Sequence, residues 1–254
     1  MEIIKHIREK NPLVHCITNT VTINDCANAV LAVGARPVMA EHPDEAAEIS
    51  AAADALLINT GAVYPSKIEA MMRSAKAAME KGIPFVLDCV GAMSSSVRKS
   101  LISELIKINI PTIIKGNAAE IEAVTGGDAH ASGVDSTEET DYKGAISAAK
   151  KLGTVIMVTG ERDFITDGEY SAIISNGTPM LSKVTGTGCM LGCITAAAAA
   201  ANEPFTAARY MAAAMGVCGE RADTGCGTGT FRVKLIDELS LITDEIISDS
   251  IKEN

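Results

Sequence analysis

The chain has 254 residues, 47% of them apolar, with 21 glycines and no tryptophan. That is ample apolar material for a sizeable core, and it excludes a disordered chain. The net charge of −10 is dispersed, with no basic stripe interleaved with aromatics, so nucleic acid and anionic membrane surfaces are not expected partners.

The seven cysteines (Cys16, Cys26, Cys89, Cys189, Cys193, Cys218, Cys226) form no Cys-x-x-Cys pair, and the odd number points to a reduced, cytoplasmic protein. His6, His15, His42 and His130 do not pair with cysteines at zinc spacing. The first residues show no signal-peptide core, and the longest soft run, Met190 to Ala201, is too short to span a bilayer.

Taken in order, the pattern predicts a helix over Met1–Lys10, stopped by Pro12, and a buried strand over Leu13–Ile17. A helix over Thr22–Val33 ends at Gly34, followed by a strand over Arg36–Ala40 and a helix over Pro43–Ala53. Strand Ala55–Ile58 leads to helix Ser66–Lys81, closed by Gly82. Strand Pro84–Leu87 ends on Asp88 and precedes helix Val97–Lys107. Strand Pro111–Ile114 runs into Lys115-Gly116-Asn117 and a helix to about Val124. Thr125–Asp141 reads as a polar surface loop. Helix Tyr142–Leu152 and strand Thr154–Val158 follow, then short pieces, Phe164–Thr166 and Tyr170–Ile174, with Asp167-Gly168 and Asn176-Gly177 as turns. Two helices, Phe205–Ala222 and Leu235–Ser248, flank a glycine-rich stretch, Thr224–Thr230. The repeated alternation of buried strands and helices, with no linker or repeat, predicts one α/β domain over residues 1–254 with a parallel sheet covered on both faces.

In such sheets, ligands bind beyond the carboxyl ends of the strands. Polar groups recur at those ends: Thr18-Asn19, Asn59-Thr60-Gly61, Asp88, Lys115-Gly116-Asn117 with Glu120, and Thr159-Gly160. The run Val184-Thr185-Gly186-Thr187-Gly188-Cys189 then opens a helix rich in alanine. Glycine allows close backbone approach, and a helix N-terminus favours an anion, so Gly186 and Gly188 form a candidate anion cradle. The competing reading is a tight turn before a buried helix. Cys189, at that N-terminus, is expected to have a lowered thiol pKa.

Asp88 and Glu120 are candidate magnesium carboxylates. Glu120 also fits a capping box with Asn117, and Asp88 a turn aspartate. Lys115, ending an apolar strand, needs an anion or carboxylate partner unless it is a solvated rim lysine. His15 reads as a satisfied core histidine, and Cys193 as a buried residue.

Several stretches resemble hydroxyethylthiazole kinases: Asn11 to Asn19, Pro37-Val38-Met39-Ala40, Lys115 to Glu120, Val158 to Asp163, and Val184 to Leu191. Gly133-Val134-Asp135-Ser136 and Phe231-Arg232-Val233 also match, so the likeness runs from about residue 11 to 240. The resemblance implies a three-layer α/β/α ribokinase-like fold and a mostly parallel central sheet. It implies Mg²⁺-dependent phosphorylation of 4-methyl-5-(2-hydroxyethyl)thiazole by ATP, in thiamine salvage. It places Met39 and Gly186 at the substrate, Lys115 and Thr159 at ATP, Asp88 and Glu120 at the metal, and Cys189 beside the reacting hydroxyl. It further implies a homotrimer with sites between subunits. The family usually has Arg where Lys115 stands, and Asp-Pro-Val-Gly where this chain has Asp88-Cys89-Val90-Gly91. Lysine lacks the bidentate fork, so weaker nucleotide affinity is expected, and the loop from Cys89 to Ser96 is expected to be looser. Other readings of the same residues are phosphorylation of a different heteroaromatic alcohol such as a hydroxymethylpyrimidine, covalent catalysis by Cys189 with His15 as base, and a nucleotide-binding regulator.

Overall fold

The computed structural model describes residues 2–126 and 142–253. His130, the run Gly133 to Ser136 and nearly all of the expected polar loop lie outside the described residues. The chain opens with α1 (Ile3–Lys10), β1 (Leu13–Ile17), α2 (Ile23–Ala32), β2 (Arg36–Val38), α3 (Pro43–Ala52) and β3 (Ala55–Asn59). Next come α4 (Pro65–Lys81), β4 (Phe85–Asp88), α5 (Ser96–Ile108), β5 (Ile113–Asn117) and α6 (Ala118–Thr125). Beyond them lie α7 (Lys143–Leu152), β6 (Val155–Thr159), β7 (Asp163–Thr166), β8 (Ser171–Ile174) and a 3-10 turn over Pro179–Lys183. The last four helices are α8 (Thr187–Ala199), α9 (Pro204–Ala222), α10 (Thr228–Leu241) and α11 (Asp244–Ser250).

The eight strands among the described residues form one sheet in the order β2-β1-β3-β4-β5-β6-β7-β8. The first six are parallel, and β7 and β8 add an antiparallel hairpin at one edge. Asp167-Gly168 makes the hairpin turn as expected. Asn176-Gly177 does not turn a second hairpin. Asn176 is buried and tied to the last residues: its Nδ2 donates to the Ser250 carbonyl at 2.9 Å and its Oδ1 accepts from Lys252 N at 2.7 Å.

Both faces are covered, and the period of two sorts the side chains. Val14, Leu57, Val86, Ile113 and Met157 join one core with α1, α2, α8, α9 and α10. Leu56, Ile58, Leu87, Ile114 and Ile156 join the other with α3 to α7. Helix α8 is apolar all round and buried along nearly its whole length, as a central helix must be. Its small residues let it lie against the sheet. A Cβ on Gly192 would already stand 3.3 Å from Leu57 and 3.2 Å from an Asp88 oxygen.

The C-terminal helix boundaries differ from expectation. The glycine-rich stretch does not continue to Thr230, because α10 starts at Thr228 and buries Phe231 completely. Arg232 then binds Asp25 of α2 at 2.9 and 3.0 Å. The predicted helix over Leu235–Ser248 breaks at Ile242, because Thr243 caps α11 and Asp244 caps a different helix. The Asp244 carboxylate accepts from Ile4 N at 2.9 Å and Lys5 N at 3.0 Å at the open start of α1.

Candidate active site

Strand register builds the centre of the site. Asn59 is level with Asp88 across β3 and β4, and Asp88 with Lys115 across β4 and β5. Each lies two residues beyond a side chain of the α8-facing core (Leu57, Val86, Ile113), so alternation aims all three at α8. Lys115 Nζ donates to Asp88 Oδ1 at 2.9 Å, and Asn59 Nδ2 donates to Asp88 Oδ2 at 2.7 Å. Asn59 Nδ2 also reaches Cys189 Sγ at 3.3 Å. Asp88 is 0% and Lys115 3% exposed, so the solvated-rim reading of Lys115 does not hold. Its partner is Asp88. Burial pushes the Asp88 carboxyl above its ordinary value, opposed by the Lys115 charge. Burial also works against the Lys115 charge, but Asp88 outweighs it and leaves the ammonium above its ordinary value.

Above this pair lies the start of α8. Gly186 has φ +93°, and a Cβ there would stand 2.4 Å from Thr22 Cγ2, so only glycine fits. Among the described residues no side chain caps α8, which leaves the N–H groups of its first turn open to a ligand. A Cβ on Gly188 would be 3.7 Å from Lys115 Nζ, so the ammonium lies directly under the cradle.

Cys189 is buried at 8% exposure, and the expectation of a lowered thiol pKa is overturned. Burial, then the Asp88 charge, push the thiol up to about 11. Desolvation and a nearby carboxylate outweigh the helix terminus. The thiol therefore stays protonated at neutral pH. His15 supplies no base for it: Nδ1 bonds Ser50 Oγ at 2.7 Å and Nε2 the Ala40 carbonyl at 2.8 Å, as for a satisfied core histidine.

Glu120 is a capping residue in fact. Its Oε2 accepts from Asn117 N at 2.8 Å while Asn117 Oδ1 accepts from Glu120 N at 2.9 Å. Its Oε1 accepts from Gly91 N at 2.8 Å. The loop after Asp88 is thus pinned rather than loose. Ala92 N bonds the Cys89 carbonyl at 3.0 Å, and Arg98 lies against Gly91 while donating to the Thr60 and Gly61 carbonyls at 3.0 Å.

As direct magnesium ligands, Asp88 and Glu120 fit poorly as they stand. All four carboxylate oxygens accept N–H groups, and Asp88 Oδ1 is shared with an ammonium. Among the described residues, no group of three or more His, Cys, Asp and Glu is arranged to hold a metal.

A cleft of about 860 Å³ opens from the cradle toward the hairpin edge, lined by Thr159, Asp163, Thr187, Gly188, Leu191 and Met215 among others. Two smaller clefts, of about 390 and 400 Å³, lie between α4 and α5 and beside α1. Asp163 Oδ1 accepts from Gly160 N at 3.0 Å, and burial pushes its carboxyl up to about 6. A raised carboxyl pKa costs stability once the group ionises in the fold. Asp163→Asn keeps an acceptor for Gly160 and should be more stable than wild type by about 3 kcal/mol at pH 7. The gap should close as pH falls from about 6 through the ordinary value of 3.8, below which both folded and unfolded carboxyls are neutral. Urea titrations at pH 4 and pH 7 check this, and an equal gap at both would contradict it.

Of the residues singled out in the sequence, Asp88, Lys115, Gly188 and Cys189 meet at one point, with Gly186 opening the helix above and Thr159 in the cleft wall. Met39 stands apart, just past the edge strand β2 and half-buried. Sequence reasoning placed Asn59 on the rim without giving it its bridging position, and it missed Lys67. Lys67 looks like a helix-surface lysine but is 0% exposed, donating to the Thr18 carbonyl at 2.5 Å and pairing with Glu41 at 2.8 Å. Its lone long-range signal is a charge on the buried stripe of α4, with Ala70, Met71 and Ser74.

The fold is ribokinase-like. The fold is shared with a pyridoxal kinase from Staphylococcus aureus, solved with AMP-PCP and pyridoxal (TM-score 0.62, 14% identity, 82% of this chain and 87% of that one). More specifically, the chain belongs to the hydroxyethylthiazole kinase family, whose model matches residues 4–245. It is 41% identical to hydroxyethylthiazole kinase 2 of Clostridium botulinum (strain Langeland) over 263 aligned positions, covering 100% of this chain and 99% of that one. It also resembles the solved hydroxyethylthiazole kinase protein of Pyrococcus horikoshii OT3 (TM-score 0.91, 36% identity, 99% and 96% covered). The chain is a kinase of that family.

Proposed function

We propose that this kinase transfers the γ-phosphoryl group of ATP to the hydroxyl of 4-methyl-5-(2-hydroxyethyl)thiazole, a thiamine salvage step. The observation that carries the reading is the Asn59–Asp88–Lys115–Cys189 constellation under an uncapped helix N-terminus at the mouth of a nucleotide-sized cleft. Lys115 and Thr159 hold the triphosphate, and the Gly186–Gly188 turn and the first N–H groups of α8 stabilise the transferring group. The alcohol oxygen forms the new bond to phosphorus as the bond to the β–γ bridging oxygen breaks and ADP leaves. The alcohol proton passes to the transferred phosphoryl group. Cys189, protonated at neutral pH, orients the hydroxyl rather than removing its proton. Asp88 and Glu120 are the carboxylates that would face a Mg²⁺ brought in with the nucleotide, and such an ion would screen the triphosphate charge.

Met39, beyond the edge strand, serves the alcohol site of a neighbouring subunit in a homotrimer. The seven free cysteines suit a cytoplasmic location. No helix among the described residues is long and apolar enough to cross a membrane.

The test is ATP consumption by the purified protein with and without the thiazole alcohol, with the product weighed for one added phosphoryl group. Thiazole-dependent turnover with kcat/KM above that for a hydroxymethylpyrimidine is expected. The reverse preference would move the substrate to the pyrimidine. In the same assay, Cys189→Ala should lower kcat by roughly tenfold or more while leaving KM for ATP unchanged. Undiminished kcat would remove Cys189 from the reaction.

A further inference from the structure

The Asp88–Lys115 pair has a consequence for metal binding. A divalent cation bridging Asp88 to a phosphoryl group in the cradle would sit between the carboxylate and the first turn of α8. That place is filled. Lys115 Nζ is 2.9 Å from Asp88 Oδ1 and 3.7 Å from where a Gly188 Cβ would stand. The other Asp88 oxygen is held by Asn59 at 2.7 Å. A magnesium contact is about 2.0–2.1 Å long, so a metal on Oδ1 would intrude on the ammonium. The pair is also neutral overall, which leaves little net attraction for a second cation. The nearby carboxylate, Glu120, is committed to Gly91 N and Asn117 N at 2.8 Å each.

We propose that the Lys115 ammonium is the resident cation of this site, bridging Asp88 to the anion cradle, so that the nucleotide-free protein has no divalent-cation site at Asp88 and a divalent cation comes to it only with the triphosphate. The anion's identity rests on the kinase reading above, whereas the resident cation does not. Lys115 then does two things from one position. It neutralises a fully buried carboxylate, and it presents the remaining N–H groups of its ammonium to the incoming phosphate.

The experiment is Mn²⁺ binding to the full-length, nucleotide-free protein, read as loss of the free Mn²⁺ electron paramagnetic resonance signal. Wild type should bind no Mn²⁺ below roughly 1 mM. Lys115→Gln removes the charge but keeps an N–H donor for Asp88, and it should gain a site at least tenfold tighter than wild type. Lys115→Arg keeps the charge and should stay silent. Wild type binding Mn²⁺ below that concentration, with the binding lost in Asp88→Asn, overturns the proposal. So does a folded Lys115→Gln, judged by circular dichroism, that gains nothing. If Lys115→Gln or Asp88→Asn fails to fold, the wild-type titration and that of the double variant Asp88→Asn/Lys115→Met, which strands neither charge, still decide. No ATP or alcohol is present, so failure here leaves the transferase reading standing. Absence of thiazole phosphorylation would likewise leave the cation result standing.

Discussion

Asp88→Asn should lose about 3–5 kcal/mol of stability, because it strands the buried Lys115 ammonium without its counter-charge. The whole fold of a typical domain is worth about 5–15 kcal/mol, so the variant should stand near the edge of unfolding. Lys115→Met should be comparably damaging, since it strands the carboxylate instead. The double variant Asp88→Asn/Lys115→Met removes both charges and should be less destabilised than either single one. Urea unfolding of the four proteins reads this cycle. Additive losses would mean that the two groups do not act as a pair, against their 2.9 Å contact. Phosphoryl transfer should be lost in all three variants, the double one included. That separates the structural part of the pair from its part in the chemistry.

The second large effect is expected at Gly186. Alanine there must adopt a left-handed backbone, worth about 1–2 kcal/mol, and its Cβ must also displace Thr22. Thr22 has little room to yield. It is 3% exposed, β-branched, and donates through Oγ1 to the Asn19 carbonyl at 3.2 Å. Overpacking adds about 1–3 kcal/mol, so Gly186→Ala should lose about 2–5 kcal/mol in total. Because Gly186 positions the first turn of α8, kcat/KM should fall by about 100-fold even in the molecules that fold. Thr22→Ser deletes the methyl that a Cβ would meet at 2.4 Å while keeping the hydroxyl. Added to Gly186→Ala, it should restore part of the stability and part of the rate. If Thr22→Ser rescues nothing, the cost lies in the backbone alone.

Much of the fold was legible along the chain because the signals are local. Leu13–Ile17 and Ala55–Asn59 are short apolar runs bounded by polar residues, and both proved to be buried parallel strands. Gly82 closes α4 in the left-handed conformation, and Asn117 with Glu120 forms the expected box at the start of α6. The misreadings arose where a distant partner outbid the local pattern. Periodicity carried a helix through Ile242 and Thr243, but Asp244 is drawn to the free N–H groups of α1, 240 positions away from Ile4. Asn176-Gly177 has the composition of a turn, yet Asn176 is consumed by the backbone of Ser250 and Lys252.

The site divides in the same way. The sequence by itself determined which polar residues end each strand and where glycine precedes α8, because alternation and turn chemistry are properties of neighbouring residues. Only the tertiary structure decided what those residues do to one another. Register brings Asn59, Asp88 and Lys115 level, and the packing of α8 adds Cys189 to them. Lys67, a charged residue on a helix, is held inside by Glu41 and the Thr18 carbonyl. The Cys189 thiol was read as acidic from its helix terminus and was pushed up to about 11 by burial and by Asp88. Charge state and desolvation depend on everything within a few ångströms, and those neighbours come together only when the chain folds.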